Sequence, residues 1–185
     1  MEIAILQHVD FEGPAEIENW CRQTGNEYKV YRLYLGEALP KAERTDFLVI
    51  LGGPMSVLDE LPWLEEERQL IRVLISQGKP VFGVCLGGQQ IAKTLGADIF
   101  QGEYREAGWL PIRMMKSETL GELPEELVVF HWHGEQFGLP EGAERLFTSE
   151  VCPNQGFIYK ENVIGLQFHF ESTKESIESI IQNAA

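Results

Sequence analysis

Apolar residues in the first half of the chain fall in short unbroken runs, each closed by glycine or proline and followed by a stretch of helical spacing. Glu2–Gln7, Phe47–Leu51 and Val81–Val84 read as strands covered on both faces, and Tyr28–Leu33 alternates as a further strand. Between them, Ala15–Arg22 carries Ile17, Trp20 and Cys21 at helical spacing. Trp63–Ser76 places Leu64, Leu70, Ile71, Leu74 and Ile75 along one side. The acids Glu65–Glu67 near its start read as a solvated first turn that suits the helix dipole. A helix from about Gly88, with Gln90, Ile91 and Leu95, closes at Gly96. The second half changes rhythm. Trp109–Met114, Leu127–Trp132, Glu144–Thr148, Gly156–Tyr159 and Val163–Phe168 read as short strands divided by turns, with a last helix over Thr173–Gln182. The pattern predicts one α/β domain over residues 1–185. Its central sheet is mostly parallel, with helices on both faces and antiparallel strands added late.

Composition narrows the partners. Of 185 residues 44% are apolar, enough for a buried core, and 29 acidic against 15 basic side chains give a formal charge of -14. That field repels phosphate backbones and anionic lipid, so neither nucleic acid nor a membrane surface is expected as partner. No apolar run approaches the ~20 residues of a bilayer span, and the first residues lack a secretory pattern. Cys21, Cys85 and Cys152 are widely spaced without a CxxC pair, which predicts free thiols and a cytoplasmic setting.

The chemistry concentrates at Gly83-Val84-Cys85-Leu86-Gly87-Gly88-Gln89, where a buried strand hands over to a helix. A nucleophile on such a turn stands above the sheet edge in a strained backbone, and glycines on either side avoid collisions. The free N–H groups and positive dipole end of the helix face the sulfur and favour its thiolate form. Taken alone, the turn equally suits a structural cysteine. A cysteine nucleophile needs a base and a group to orient it, and Gln167-Phe168-His169-Phe170-Glu171 supplies both. His169 and Glu171, two apart in extended chain, project to one side. Gly52-Gly53-Pro54 ends another strand with unobstructed backbone N–H groups, as an oxyanion site requires, and Leu86 N–H would be the second donor.

GGP, GVCLGGQ and QFHFE, in this order, resemble class I glutamine amidotransferases. The likeness continues through Gln7-His8, LGGPMSV, EAGW, FHWHGEQFGLPEGA and CPNQGF, which are similar to the stand-alone branch related to the GMP synthase glutaminase domain. The resemblance implies a flavodoxin-like glutaminase fold with Cys85, His169 and Glu171 as catalytic triad and Gly53 and Leu86 at the oxyanion. It implies that Gln89, Gly52, Asn154, Gly156 and Phe157 contact glutamine. No cofactor or metal is implied, and a separate synthetase or ligase subunit would receive the ammonia. A γ-glutamyl peptide hydrolase uses the same triad, and a non-catalytic regulatory subunit could keep the same fold. Phe170 stands where the family has proline, which removes a restraint on His169. His131 and His133 share a strand face as a metal pair would, without an obvious third ligand. Cys21 is expected in the core, and Cys152 as an inert thiol near the site.

Overall fold

The computed structural model describes residues 1–117, 119–121 and 123–183. Nine strands form one sheet: β1 (Glu2–Gln7), β2 (Glu27–Arg32), β3 (Phe47–Ile50), β4 (Val81–Val84), β5 (Ile99–Met114), β6 (Glu126–Phe137), β7 (Glu144–Thr148), β8 (Gly156–Tyr159) and β9 (Val163–Leu166). The spatial order is β2-β1-β3-β4-β9-β8-β7-β5-β6. The first five strands in that order are parallel, and the remainder join antiparallel. The helices are α1 (Glu16–Thr24), α2 (Pro62–Ser76), α3 (Leu86–Thr94) and α4 (Lys174–Asn183). This is the α/β architecture with a mixed sheet that the hydrophobic pattern predicts.

The unbroken apolar runs have a direct cause in the packing. Ala4, Leu6, Leu48 and Ile50 face one way and pack with Leu70, Ile71 and Leu74 of α2 and Ile91 of α3. Their neighbours Ile3, Ile5, Val49 and Leu51 face the other way and pack with Cys21 of α1. Alternate residues of each strand therefore meet different helices, and no position is left for a polar side chain. The predicted core role of Cys21 agrees with this burial. A third cluster joins Ile112, Val129, Leu146, Phe147, Ile158, Leu166 and Phe168 beneath the antiparallel part.

The largest boundary differences from expectation lie in the antiparallel ribbon. β5 begins ten residues before the predicted Trp109, and β6 runs on to Phe137. Together they form a long ribbon whose register shifts between Gln101 and Glu106. Much of Gln101–Arg105 is exposed, and residues 102–105 fall within the register shift, so no apolar face marks this part of the ribbon and hydrophobic periodicity has nothing to register there. Among the described residues, no helix is long and apolar enough to cross a membrane.

Candidate active site

Cys85 sits between β4 and α3 with φ 52° and ψ -108°, a backbone conformation that L-residues adopt only under constraint. The constraint is visible in the glycines around it. A Cβ on Gly83 would lie 2.4 Å from the Gly87 carbonyl, one on Gly87 would lie 2.1 Å from Ile50 O, and one on Gly88 would lie 2.4 Å from Leu166 O. α3 is thus wedged onto β3, β4 and β9 with no room for side chains. Its first turn carries the Leu86 N–H, which has no intrahelical partner by geometry. α3 begins at Leu86, two residues earlier than periodicity indicated.

His169 and Glu171 converge on the same place from the end of β9. His169 Nδ1 lies 2.8 Å from Glu171 Oε1, and both side chains are buried. His169 N–H donates to the Phe130 carbonyl at 2.8 Å, an isolated bridge that ties this segment to β6. The Phe170 side chain points outward, 66% exposed. Burial opposes charge on His169, but Glu171 and Cys85, by charge and hydrogen bonding, outweigh it and raise its pKa well above the usual imidazole value. Cys85 Sγ lies 3.9 Å from the Trp132 carbonyl and 4.0 Å from Gln167 Nε2.

Cys85 opens onto a cleft of about 630 Å³ whose lining also includes Glu12, Gly53, Gln89, Arg105, Trp132, His133, Gly134 and Glu135, while His169 and Glu171 are buried and are not among the lining residues. Gly53 lies against α3, since a Cβ on it would meet Leu86 Cδ2 at 3.0 Å. Gln89 donates to the Glu135 carbonyl and to Gln167 Oε1, both at 3.3 Å. Gly52 stands just behind this wall, where a Cβ would strike Glu12 Oε2 at 2.3 Å and His169 Cε1 at 3.0 Å.

Asn154, Gly156 and Phe157, implied by the resemblance to grip the substrate, are not among the residues lining this cleft. Gly156 and Phe157 lie within β8, paired with Leu166 and Gly165 of β9. The Phe157 ring packs edge-on against Phe137 in the core. Asn154 accepts from Arg145 at 2.9 Å and donates to the Phe137 carbonyl at 3.1 Å. A strand in mid-sheet places these groups in the interior. Trp132–Glu135 of β6, part of the FHWHGEQFGLPEGA stretch, form one wall of the cleft.

Glu12 is a further group that periodicity did not find. It comes from the loop before α1, is nearly buried, and stands beside His169 and Glu171. Burial above all, then the charge of Glu171, pushes its pKa up, partly offset by His169 and His8. Its folded pKa therefore lies above its unfolded value. The stabilising effect of the protonated form is complete below the unfolded pKa and is lost as pH rises through the folded one. Glu12→Gln is expected to raise the Tm at pH 8 by about 2–4 °C for each kcal/mol relieved. The gain should shrink at pH 4, and calorimetry showing the same gain over wild type at both pH values would contradict this.

Glu106, His131 and His133 offer ligand atoms within 4.8 Å of one another, so β5 supplies the third group that the histidine pair lacked. The carboxylate is already engaged. Ser149 Oγ donates at 2.9 Å, Gln155 Nε2 at 2.6 Å, and His133 Nε2 lies 3.1 Å away. Burial, against the charge of Glu106, holds the His131 pKa down at about 4. The cluster is a buried polar knot joining β5 and β6 to residues 149–155. Nearby, burial and then the charge of Glu106 push the Cys152 thiol up to about 12, which suits an inert residue.

With this geometry in view, the relatives are informative. The family model for "Glutamine amidotransferase class-I" matches residues 10–184. The putative glutamine amidotransferase-like protein YfeJ of Salmonella typhimurium is 34% identical over 194 residues, covering 100% of this chain and 81% of that protein. The glutamine-hydrolysing GMP synthase of Bacillus cytotoxicus is 35% identical over 134 residues, 71% of this chain but only 25% of the synthase. The crystal structure of a glutamine amidotransferase from Thermotoga maritima superposes with a TM-score of 0.92 at 35% identity, covering 98% of this chain and 81% of that one. That of Methylobacillus flagellatus gives 0.95 at 30% identity, covering 99% and 75%. The chain belongs to the class I glutamine amidotransferase family.

Proposed function

We propose that the protein hydrolyses the side-chain amide of glutamine through Cys85, His169 and Glu171, releasing ammonia for an acceptor bound by a separate synthetase or ligase. The observation that carries this reading is Cys85, held at positive φ between β4 and α3 in the cleft lining, together with an imidazole, His169, that Glu171 binds and on whose charge Cys85 also acts. Cys85 sulfur attacks the carboxamide carbon, the carbonyl π electrons move onto oxygen, and the Gly53 and Leu86 N–H groups take up that charge. As the tetrahedral centre collapses, the C–N bond breaks and His169 gives its proton to the departing amine. Ammonia leaves a γ-glutamyl thioester. Water, deprotonated by the same imidazole, then cleaves the C–S bond to yield glutamate and the free thiol. The raised His169 pKa suits a proton donor at the first collapse.

The cleft favours an amino acid as ligand. Glu12 and Glu135 offer carboxylates, and Arg105 lies at the rim, as a substrate with an ammonium and a carboxylate needs. At about 630 Å³ the cleft also falls within the roughly 300–1,000 Å³ range of sites for larger small molecules. That room supports a second reading, a γ-glutamyl peptide or amide hydrolase. The two separate by measuring ammonia from free glutamine against amine release from γ-glutamyl dipeptides. The first reading expects a higher kcat/KM on glutamine, and a preference of tenfold or more for dipeptides would replace it with the second.

A further inference from the structure

A chain of buried polar contacts lies directly behind the Gly52-Gly53 turn. His8 follows β1, and its ring stacks on Trp63 with centroids 5.2 Å apart. His8 Nδ1 lies 3.1 Å from the Gly52 carbonyl oxygen and Nε2 lies 2.9 Å from Glu67 Oε2. Glu67, which the acidic start of α2 suggested would be solvated, is fully buried. Its other oxygen accepts from Gln90 Nε2 at 2.9 Å, and Gln90 Oε1 accepts from Arg68 Nη1 at 2.8 Å. α2 and α3 thus fix the carboxylate, and the carboxylate fixes the ring.

His8 Nδ1 faces a carbonyl oxygen, which can only accept, and Nε2 faces a carboxylate, whose ionised form likewise only accepts. A neutral imidazole has one N–H and would leave one of these contacts without a proton, whereas an imidazolium satisfies both. A trans peptide directs its C=O and its N–H to opposite sides of the chain. A donor that holds the Gly52 carbonyl from behind therefore turns the Gly53 N–H away from itself, toward the cleft that Gly53 lines.

We propose that His8 is a positioning residue that, as a buried imidazolium anchored by Glu67, locks the Gly52–Gly53 peptide so that its N–H faces the substrate oxyanion. This deepens the glutaminase reading and rests on it, because the aligned group is the proposed Gly53 donor. A cation on the carbonyl oxygen also polarises the peptide and strengthens its N–H as a donor. The charged groups facing His8 are Glu67 from α2 and Glu12 from the loop before α1, both acidic. Burial works against charge on the ring, yet Glu67, the Gly52 carbonyl and Glu12 outweigh it and raise the pKa.

The test uses the full chain with His8→Gln and, separately, Glu67→Gln. Removing one oxyanion donor costs about 100- to 1,000-fold in kcat elsewhere, so misaligning one is expected to cost about 10- to 100-fold. The loss should fall on kcat with KM nearly unchanged, because the contact strengthens only in the transition state. Alkylation of Cys85 by iodoacetamide should continue at the wild-type rate. In the wild type, ¹⁵N NMR of the imidazole should show both His8 nitrogens protonated at pH 7, a readout independent of whether either variant folds. A neutral His8 ring, or an unchanged kcat in a folded His8→Gln variant, overturns the proposal alone. A wild type that releases no ammonia or amine from glutamine or γ-glutamyl amides removes the glutaminase reading and this proposal with it.

Discussion

Replacing Cys85 by serine is expected to lower glutamine-dependent ammonia release by at least about 1,000-fold while leaving the fold intact. The magnitude follows from the chemistry of the step. Loss of a nucleophile that acts as a unit with its base has cost about 10⁶-fold in a comparable triad, with only oxyanion and binding effects remaining. Serine removes the polarisable sulfur that needs little activation, and its hydroxyl is far harder to deprotonate beside His169. The Cys85 side chain is small, and serine fits the space without new contacts, so the Tm should move by no more than a few degrees. Ammonia release followed with a coupled glutamate dehydrogenase assay measures the effect. Mass labelling by a glutamine-like electrophile should find Cys85 in the wild type and nothing at that position in the variant. Near-wild-type turnover by Cys85→Ser would exclude a thioester route. An unlabelled wild type with no turnover would favour the non-catalytic subunit.

The parts legible from sequence share one feature: each is written in consecutive residues. The two-sided burial of β1, β3 and β4 shows as unbroken apolar runs, because each alternate side chain meets a different helix. The turn at Cys85 shows as glycines on both sides, and the collisions that a Cβ would suffer there are with backbone atoms. The 2.8 Å contact of His169 with Glu171 joins residues only two apart in the chain. What stayed hidden depends on groups distant in sequence. Glu67 looks like any acid near a helix start until β1 delivers His8 to it across 59 positions. Glu12 reaches His169 from a loop whose path no periodicity describes. The Asn154–Phe157 stretch has suitable residue types for backbone recognition, but β9 captures its strand and carries it inside.

Gly87→Ala is the substitution expected to damage stability and activity together. The added Cβ would sit 2.1 Å from Ile50 O, 2.7 Å from Ile50 C and 2.9 Å from Ile50 Cβ. The two closest atoms belong to backbone in the middle of the parallel sheet, so no rotamer change relieves the clash. Either α3 lifts from β3 or the strand bends. Overpacking of a core typically costs about 1–3 kcal/mol and at times more, and a rigid backbone neighbour puts this site at about 3 kcal/mol. In a chain of this size that corresponds to a Tm lower by about 6–12 °C. Activity should fall further than stability, because lifting α3 carries Leu86 N–H and Cys85 away from His169, and misplacement by about 1 Å can cost about 100-fold. Gly138→Ala is the matched comparison. Its Cβ would meet nothing closer than 3.6 Å, so Tm and kcat should both stay near wild type. Thermal unfolding and steady-state kinetics on the two variants separate a specific wedge at the elbow from a general cost of adding methyl groups. If Gly87→Ala matches Gly138→Ala in both, α3 is not held against β3 as tightly as the contacts at Ile50 require.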